Sequence, residues 1–483
     1  MSLSSALSIA QSALLATSRQ TSVVTRNVAD ADNPNYSRRI ALVTSTTPGA
    51  RSVDVQRAAN DLLFRQNLGA LSAYAGQNAL YSGMDQLDVS VNGVDNASSP
   101  STAIANLQQA LQLYATSPSN QNLGSNVIDA AKQVVRSLNE GSKAIQDFRT
   151  QTDGQIDTAV KDLNSLLNQF QDANIAVMSG TRSGTDVSDA LDQRDALLKK
   201  IANYIPVSTF TRGDNDMVIT TGDGTTLFET IPRTVSFAPS SGYAAGAAGN
   251  TVYIDNVPVS AGSGGNTTAS GTIAGMLQVR DGVASTMQSQ LDETARGLIT
   301  AFAETAPSMP NAAGLFTWSG APAVPAAGTL VDGLAGTIKI NAAMDPSTGG
   351  NPTLLRDGGA NGAAYVANTG GASYSNLLVA YGDQLDKPMT FDSSAGISAT
   401  SSVADYAANS IGWLQGVRQQ ASTAADAKEA LAQRSADALS NATGVNVDQE
   451  MSLMLDLEHT YQASARMMKT VDDMMTALLN AVG

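Results

Sequence analysis

Few residues of this chain have the types and spacing that chemistry requires. The 483 residues contain one histidine and no cysteine. The lack of cysteine excludes disulfides, thiolate metal sites and a cysteine nucleophile. The histidine, His459, lies between Leu457 and Tyr461 with only Glu458 beside it, whereas a catalytic or ligand role needs a cluster of partners. We therefore interpret His459 as a surface or interface residue.

Three carboxylates are spaced as an acid–base pair might be. Asp189, Asp192 and Asp195 follow one another at intervals of three residues on one predicted helix. Arg194 and two lysines lie close to them in the sequence. Because opposite charges three or four residues apart on a helix pair with each other, we interpret the group as a solvated, charge-balanced face.

Two short acidic segments look like calcium-binding loops. They are residues 214–216 (DND) and 222–224 (GDG). Neither has the regularly spaced oxygen ligands of an EF-hand, and both are typical of β-turns. No glycine-rich phosphate loop follows a predicted strand. The sequence therefore predicts no enzyme, no cofactor and no metal site.

Both ends of the chain carry apolar residues at heptad spacing, with alternating steps of four and three. Such a stripe needs a partner helix. One alternative is an amphipathic helix folded onto its own domain, but two such ends around a non-helical middle favour packing between subunits. The N-terminal stripe is Leu3, Leu7, Ala10, Leu14, Thr17, Thr21, Val24 and Val28, and the C-terminal stripe is Val447, Met451, Met454, Glu458, Tyr461, Ala465, Met468, Asp472, Met475, Leu479 and Val482.

The two ends also differ in charge. Residues 1–60 have six arginines against three aspartates, a net charge of +3. Residues 441–483 have six acidic residues against two basic ones, a net charge of −4. Opposite signs favour association of the ends, within a chain or between chains. The alternative is a chance imbalance on solvated faces.

Composition narrows the classes of protein further. The net charge of −15, without a strongly basic stretch, argues against nucleic-acid binding. No run of about 18 apolar residues predicts a membrane span. The N-terminus lacks the basic and apolar regions of a secretory signal peptide. These features favour a cytoplasmic protein or one that is exported by a dedicated machine.

The pattern along the chain changes from helix to sheet and back to helix. A turn at Asn33-Pro34 ends the first helix, and residues 39–57 are predicted to form a hairpin. Gly444 is predicted to stop a helix, and Asn446 to cap the last one with Gln449 three residues on. The other predicted helices are 60–92, 101–116, 121–178, 186–205, 276–306 and 401–440, and the predicted strands are 217–221, 234–238, 251–259 and Gly336–Asn341.

This order predicts a mainly α fold with β-rich insertions and terminal coiled-coil helices. The length suggests roughly three domains. We expect a terminal helical domain and a long-helix bundle domain, with two protruding insertions, the second of them a loop-rich surface segment rather than core. The expected boundaries are 1–60 with 441–483 for the terminal domain, 61–205 with 276–306 and 401–440 for the bundle, 206–275 for the β-rich insertion, and 307–400 for the Gly/Pro/Ala-rich outer insertion.

Four segments resemble a known family. Gly444–Glu450 (GVNVDQE), followed by YQASAR and TVDDM, resembles the C-terminal signature of bacterial flagellar axial proteins. Asn27–Tyr36 (NVADADNPNY) resembles the motif after their first helix, with Asn33 and Asn35 where threonine and glycine are usual. Asparagine tolerates positive φ, so the turn can form. Leu191–Leu198 and Gly271–Leu277 are similar to segments of the hook-associated protein 1 family.

The resemblance implies a structural subunit that joins hook to filament. It implies copies stacked around the flagellar axis, outside the cell, exported without a cleaved signal peptide. The implied partners are the chain's own copies, the hook protein, the next junction protein, and an export chaperone at the C-terminal helix. The alternatives are another axial subunit of hook, rod or filament type, or a secreted enzyme on a coiled-coil scaffold. The expected assembly residues are Leu3, Leu7, Leu14, Val24, Val28, Asn33, Pro34, Tyr36, Met451, Met454, Tyr461, Ala465, Met468, Met475 and Leu479.

Overall fold

The computed structural model describes residues 3–46 and 50–482. Within them the fold is mainly α with small antiparallel sheets, which confirms the predicted fold class. The helices are α1 Leu3–Ala29, α2 Asp61–Asn92, α3 Pro100–Thr116, α4 Gln121–Ser183, α5 Ser188–Tyr204, α6 Thr272–Gln278, α7 Ala284–Ala301, α8 Leu334–Thr337, α9 Leu354–Asp357, α10 Asn376–Asp386, α11 Val403–Thr443 and α12 Val447–Val482. The strands are β1 Arg39–Thr46, β2 Ala50–Arg57, β3 Val207–Thr211, β4 Met217–Thr221, β5 Thr226–Glu229, β6 Ile231–Pro232, β7 Val235–Ser236, β8 Tyr253–Ile254, β9 Val257–Pro258, β10 Phe316–Thr317, β11 Lys339–Ile340, β12 Met389–Thr390 and β13 Thr400–Ser401.

The longest predicted helix is present and uninterrupted. α4 runs for 63 residues and includes Gly141 and Gly154. A Cβ atom at Gly141 would lie 3.2 Å from a methyl group of Leu291 and 3.3 Å from one of Val91. This glycine therefore allows close packing rather than a break in the helix. The caps around α12 are also confirmed, because the Asn446 side chain accepts a hydrogen bond from the Gln449 N–H.

The chain forms two compact units. The terminal unit comprises the described residues up to Tyr74, Asp162–Val235, and those from Ala427 onward. The central unit comprises Ala75–Lys161 and Ser236–Asp426. The boundaries fall within α2, α4, β7 and α11.

In the terminal unit, α1 packs along α12, and the β1–β2 hairpin packs on α1. The hairpin pairs in register from Arg39 opposite Arg57, as predicted for residues 39–57. Strands β3 to β6 form a four-stranded antiparallel sheet. The last part of α4 packs on this sheet, with the Phe170 and Phe228 rings edge to face at 5.0 Å.

The central unit has a large apolar core. Leucine, isoleucine, valine and aromatic side chains of α3, α7 and α11 meet there. Phe302 contacts both Phe316 and Tyr381, with ring centroids 5.1 Å apart in each pair. A π-helical turn at Val279–Val283 joins α6 to α7, and the buried Arg280 within it binds Asp153.

The predicted strand Gly336–Asn341 is wrong in its first half. The segment begins in α8, and only β11 is extended. The buried carboxylate of Asp292 accepts hydrogen bonds from the N–H groups of Gly333 (2.9 Å) and Ala335 (2.8 Å). Free N–H groups at a helix start require such an acceptor. Because the acceptor comes from another helix, local β propensity could not predict this turn.

Residues 307–400 contribute side chains to the central core, which their loop density did not predict. Phe316, Ile338, Tyr381 and Phe391 are all buried in it. Short helices and two-residue strand pairs hold these side chains in place. The segment therefore adds to the core despite its glycine and proline content.

Candidate functional site

The two ends of the chain meet in the terminal unit, at the junction of α1 and α12. Asn27 near the end of α1 hydrogen bonds to Glu450 near the start of α12. Since the helices also pack along each other, they run antiparallel. The small residues Ala10, Thr17 and Val24 are buried at seven-residue spacing in α1, as the heptad pattern predicts.

The face that α12 turns towards α1 differs from the predicted stripe at one of its two heptad positions. At the other position Met454, Met468 and Met475 are half-buried, as expected, whereas Val447 and Tyr461 are exposed. The second position is occupied by Glu450, Leu457, Ser464 and Val471, one residue before Met451, Glu458, Ala465 and Asp472 of the predicted stripe. Leu457 and Val471 are apolar and buried, whereas Glu458 and Asp472 are charged and exposed. We call this face the α12 seam (Glu450, Met454, Leu457, Ser464, Met468, Val471 and Met475).

Glu450 is the centre of a buried polar cluster. Its carboxylate is 1% exposed and accepts hydrogen bonds from Asn27 Nδ2 (3.0 Å) and Arg38 Nε (2.6 Å). Asn27 Oδ1 accepts from the Tyr36 hydroxyl (2.8 Å) and from the Arg39 N–H (2.9 Å). We call Asn27, Tyr36, Arg38, Arg39 and Glu450 the Glu450 cluster. It joins the N-terminal motif to the C-terminal signature that resembles the same family.

The turn before Tyr36 is held by local hydrogen bonds. The Asn33 side chain accepts from the Asn35 N–H (3.0 Å), and the Asn33 carbonyl accepts from the Tyr36 N–H (3.0 Å). Neither asparagine has positive φ. The turn therefore does not use the left-handed conformation that we expected asparagine to supply, and its Asx hydrogen bond fixes the chain instead.

The aspartates of α5 bind three arginines from the first 60 residues. Asp189 pairs with Arg26 and Arg39, and Asp192 pairs with Arg39 (2.6 Å) and Arg57 (2.7 Å). Asp195 completes this arginine–aspartate ladder through Arg57. The interpretation of these aspartates as a solvated face is wrong for Asp192, which is buried against Arg39, itself 2% exposed, whereas the Asp189 side chain is exposed.

The ladder accounts for three of the six arginines in residues 1–60. Three of its arginines bind α5, and Arg38 alone forms an ion pair with α12 among the described residues. A sequence signal for the ladder existed in the three-residue spacing of the aspartates and the arginine excess of residues 1–60. Nothing in the sequence linked these two segments.

Burial and ion pairing shift the pKa values of the ladder carboxyl groups in opposite directions. The hydrogen bond from Arg26 holds the pKa of the exposed Asp189 carboxyl below its usual range. Burial raises the pKa of Asp195 despite its pairing with Arg57. Burial also raises the pKa of the Tyr36 phenol to about 12, so Tyr36 stays protonated and donates to Asn27.

A cavity of about 1000 Å³ lies beside the turn. It is lined by the turn itself, the starts of α2 and β4, part of α5 and the end of α11. Phe64 and Phe210 supply apolar surface, and Arg194 and Lys199 supply positive charge. Within the described residues, no three histidine, aspartate or glutamate side chains group as a metal site.

The two segments that look like calcium loops have other roles. Asp214 and Asn215 have positive φ in a tight turn, and Asp214 pairs with Arg182. Asp216 pairs with Arg212, and Asp223 accepts hydrogen bonds from Thr221 and Thr225. These carboxylates stabilise turns. His459 is exposed on α12.

The expected assembly residues fall into three groups. Val24 and Tyr36 are buried inside the terminal unit, and the side chain of Leu3 lies outside the described residues. The half-buried group is Leu7, Leu14, Val28, Met454, Ala465, Met468 and Met475, and the exposed group is Asn33, Pro34, Met451, Tyr461 and Leu479.

Two family models match the chain. Residues 84–307 match the Flagellar hook-associated protein FlgK helical domain. Residues 438–481 match the Flagellar basal body rod FlgEFG protein C-terminal family. No helix among the described residues is both long and apolar enough to span a lipid bilayer.

Curated proteins and solved structures are similar to the chain. Flagellar hook-associated protein 1 of Bacillus subtilis is 21% identical over 99% of this chain and 98% of its own length. Flagellar hook-associated protein 1 of Salmonella typhimurium is 23% identical over 50% of this chain and 45% of its own length. The flagellar hook junction protein FlgK of Burkholderia pseudomallei shares the fold, with a TM-score of 0.57 and 13% identity over 77% of this chain and 99% of that one.

Proposed function

Since the chain belongs to the flagellar hook-associated protein 1 family, we propose that it is a structural subunit of the bacterial flagellum that joins the hook to the filament. The Glu450 cluster is the observation that carries this proposal. It ties together the two signature segments, one from each end of the chain, in one buried site. A helix pair formed from both ends is a suitable element for packing copies around an axis.

The helical-domain match favours the junction over other axial positions. The C-terminal match at 438–481 is to a rod-type family and alone would fit several axial subunits. The match over 84–307 is to the hook-associated helical domain, and it covers α3, α4 and α5.

The chain assembles through residues 1–60 and 441–483, which form the axial domain. The exposed members of the expected set, such as Met451, Tyr461 and Leu479, contact neighbouring subunits. The buried members, such as Val24 and Tyr36, give α1 and the turn their shape. The half-buried methionines of the α12 seam adapt to changes in the polymer, since methionine is flexible and polarizable.

Its partners are its own copies, the hook protein, the next junction protein and an export chaperone that binds α12. It acts outside the cell, in the flagellum, after export without a cleaved signal peptide. Its role is structural rather than catalytic. This is supported by the acidic groups that sequence spacing singled out, which are occupied by arginine pairs or turn hydrogen bonds.

The test is complementation of cells that lack the gene. Electron microscopy should show hooks without filaments in the deletion strain and filaments after the wild-type gene is restored. Glu450→Ala should fail to restore filaments, because it leaves Arg38 and Asn27 without their buried acceptor. Glu429→Ala is the matched control, since Glu429 is an exposed acid on α11, outside the proposed axial segments.

Filaments of normal number and length in the deletion strain would contradict the junction role. Normal complementation by Glu450→Ala would contradict the role of the Glu450 cluster alone. Export of each variant is checked by its amount in the culture medium, so that loss of filaments is not confused with loss of secretion.

A further inference from the structure

The short segment that enters β1 lies between α12 and α5 and binds both helices. The Ser37 N–H donates to the Asp192 carboxylate of α5 (3.3 Å). The Arg38 side chain binds Glu450 of α12 (2.6 Å), and the Arg39 side chain returns to Asp192 (2.6 Å). Successive side chains of an extended segment point to opposite sides, so two neighbouring arginines reach two different helices.

A buried amide holds this segment, residues 37–39, in place. Asn27 Oδ1 accepts from the Arg39 N–H and Asn27 Nδ2 donates to the Arg39 carbonyl, both at 2.9 Å. A residue of a neighbouring strand binds an edge strand in the same way. The remaining positions of the amide bind Glu450 (3.0 Å) and the Tyr36 hydroxyl (2.8 Å), so its hydrogen-bonding capacity is fully used. A shift of Glu450 therefore acts on the backbone of Arg39.

The Arg39 side chain extends this constraint to α5. Its buried guanidinium donates to the Ser37 carbonyl (2.5 Å) and lies 4.6 Å from the centre of the Tyr36 ring, so its position is fixed from several sides. Among the described residues Glu450 and Asp192 share no hydrogen-bond partner. Any influence of one acid on the other therefore passes through the residues between them.

We propose that α12 and α5 bind residues 37–39 cooperatively, so that loosening of either helix loosens the other. Hydrogen bonds in a buried network strengthen one another, and a coupling between two sites acts equally in both directions. The coupling is a property of the single folded chain. One consequence of it rests on the proposed function: in the flagellum, subunit contacts that hold α12 in place also hold α5.

Hydrogen exchange of the full-length, unassembled protein tests the coupling in both directions. Asp192→Asn should speed the exchange of residues 447–457 about fivefold, although Asp192 forms no bond with α12 in the described part of the chain. Glu450→Gln should speed the exchange of residues 188–204 by a similar factor, because the coupling is reciprocal. Each substitution is thus read out in the helix that the altered side chain does not contact.

Asp195→Asn and Glu458→Gln are the matched controls. Asp195 is another acid of the ladder, but its one ion pair within the described residues is with Arg57 rather than with residues 37–39. Glu458 is an exposed acid on α12. Asp195→Asn should leave the exchange of the start of α12 unchanged, and Glu458→Gln should leave that of α5 unchanged.

A chain with both Asp192→Asn and Glu450→Gln separates coupling from a general loosening of the terminal unit. At residues 447–457 its increase in exchange rate should be smaller than the product of the two single increases, because a link that is already broken cannot be lost again. An increase equal to that product would overturn the proposal. So would unchanged exchange in the distant helix of both single variants, or equal increases in the controls.

A variant that does not fold is replaced by a milder change to the same contact. Arg39→Lys takes the place of Asp192→Asn, and Arg38→Lys that of Glu450→Gln, since lysine keeps the charge but lacks the planar fork of donors. The same outcomes then apply. The proposed function would survive all of these results, because complementation tests it separately.

Discussion

Where residues 26–57 meet α5 and α12 in the terminal unit, the buried contacts are charged. Where distant segments meet in the central unit, the buried contacts are mostly apolar. Residues 26–57 bind α5 and α12 through the arginine–aspartate ladder and the Glu450 cluster, and the small residues Ala10 and Thr17 are buried in α1. The central unit has Leu298, Phe302 and their neighbours at its core, and its buried pair Arg280–Asp153 lies beside that core.

The difference concerns specificity as much as stability. Buried ion pairs contribute little net stability, but breaking one is costly, so they select a single arrangement of the segments. An apolar core tolerates adjustment of side chains if volume is kept. We infer that the terminal unit is built to fix which segments meet, and that the central unit is built to stay folded.

The largest effect is expected in the central core. Phe302→Ala should lower the free energy of unfolding of the central unit by about 4 kcal/mol, because it leaves a cavity beside Phe316 and Tyr381. Val379→Ala, at an exposed position of α10, should cost far less. Hydrogen exchange of central-unit peptides measures both. Equal effects of the two substitutions would contradict the placement of this core.

A smaller effect is expected in the ladder. Asp192→Asn should destabilise the terminal unit by about 2 kcal/mol, because Arg39 and Arg57 lose a buried charged acceptor. Asp189→Asn should cost less than 1 kcal/mol, since the Asp189 side chain is 66% exposed. Protection of the hairpin peptides against exchange distinguishes the two. The comparison between units fails if Asp192→Asn affects the central unit equally.

The pH dependence of the central unit should be modest. Burial raises the pKa of the Asp292 carboxyl to about 6, from an ordinary value near 3.8. A raised acid pKa favours the folded state at low pH, and this contribution is lost as the pH rises through 6. From pH 5 to pH 7 the loss should be about 1 kcal/mol. Asp292→Asn should remove this slope, which urea unfolding at both pH values measures, and an unchanged slope would contradict the assignment.

The smallest effect is expected at a buried tyrosine. Among the described residues the Tyr406 hydroxyl has no hydrogen-bond partner, and its ring stacks on Phe391. Tyr406→Phe should be neutral or stabilising by less than 1 kcal/mol, because no bond is lost. Tyr365→Phe should instead cost about 1 kcal/mol, since the Tyr365 hydroxyl donates to the Pro310 carbonyl. Thermal unfolding compares them, and a larger loss for Tyr406→Phe would mean that its hydroxyl is bonded.

The sequence predicted the elements better than the contacts between them. The helix over 121–178, the hairpin at 39–57 and the Asn446 cap depend on neighbouring residues and are confirmed. The ladder joins residues more than 130 positions apart, so no local pattern could reveal it. The turn at Gly333 depends on Asp292 in the same way.

The α12 seam shows a different limit. A heptad pattern fixes the spacing of the buried positions. At every second position, however, it does not decide which of two adjacent residues is buried. The predicted choice included Glu458 and Asp472, whereas the structure uses Leu457 and Val471. The apolar residues on the other flanks of α12 concealed this distinction, because every candidate stripe contained methionine or leucine.

The central claim is that the two ends of the chain fold as one unit closed by Glu450. Hydrogen exchange of full-length Glu450→Ala, with Glu458→Ala as control, tests it most directly. Breaking a buried charged contact of this kind costs about 3 kcal/mol, which is roughly a hundredfold faster exchange. We expect that increase in peptides from residues 20–57 and 447–470, with exchange of residues 284–301 unchanged. Unchanged exchange at both chain ends, or an equal increase throughout the chain, would contradict the claim.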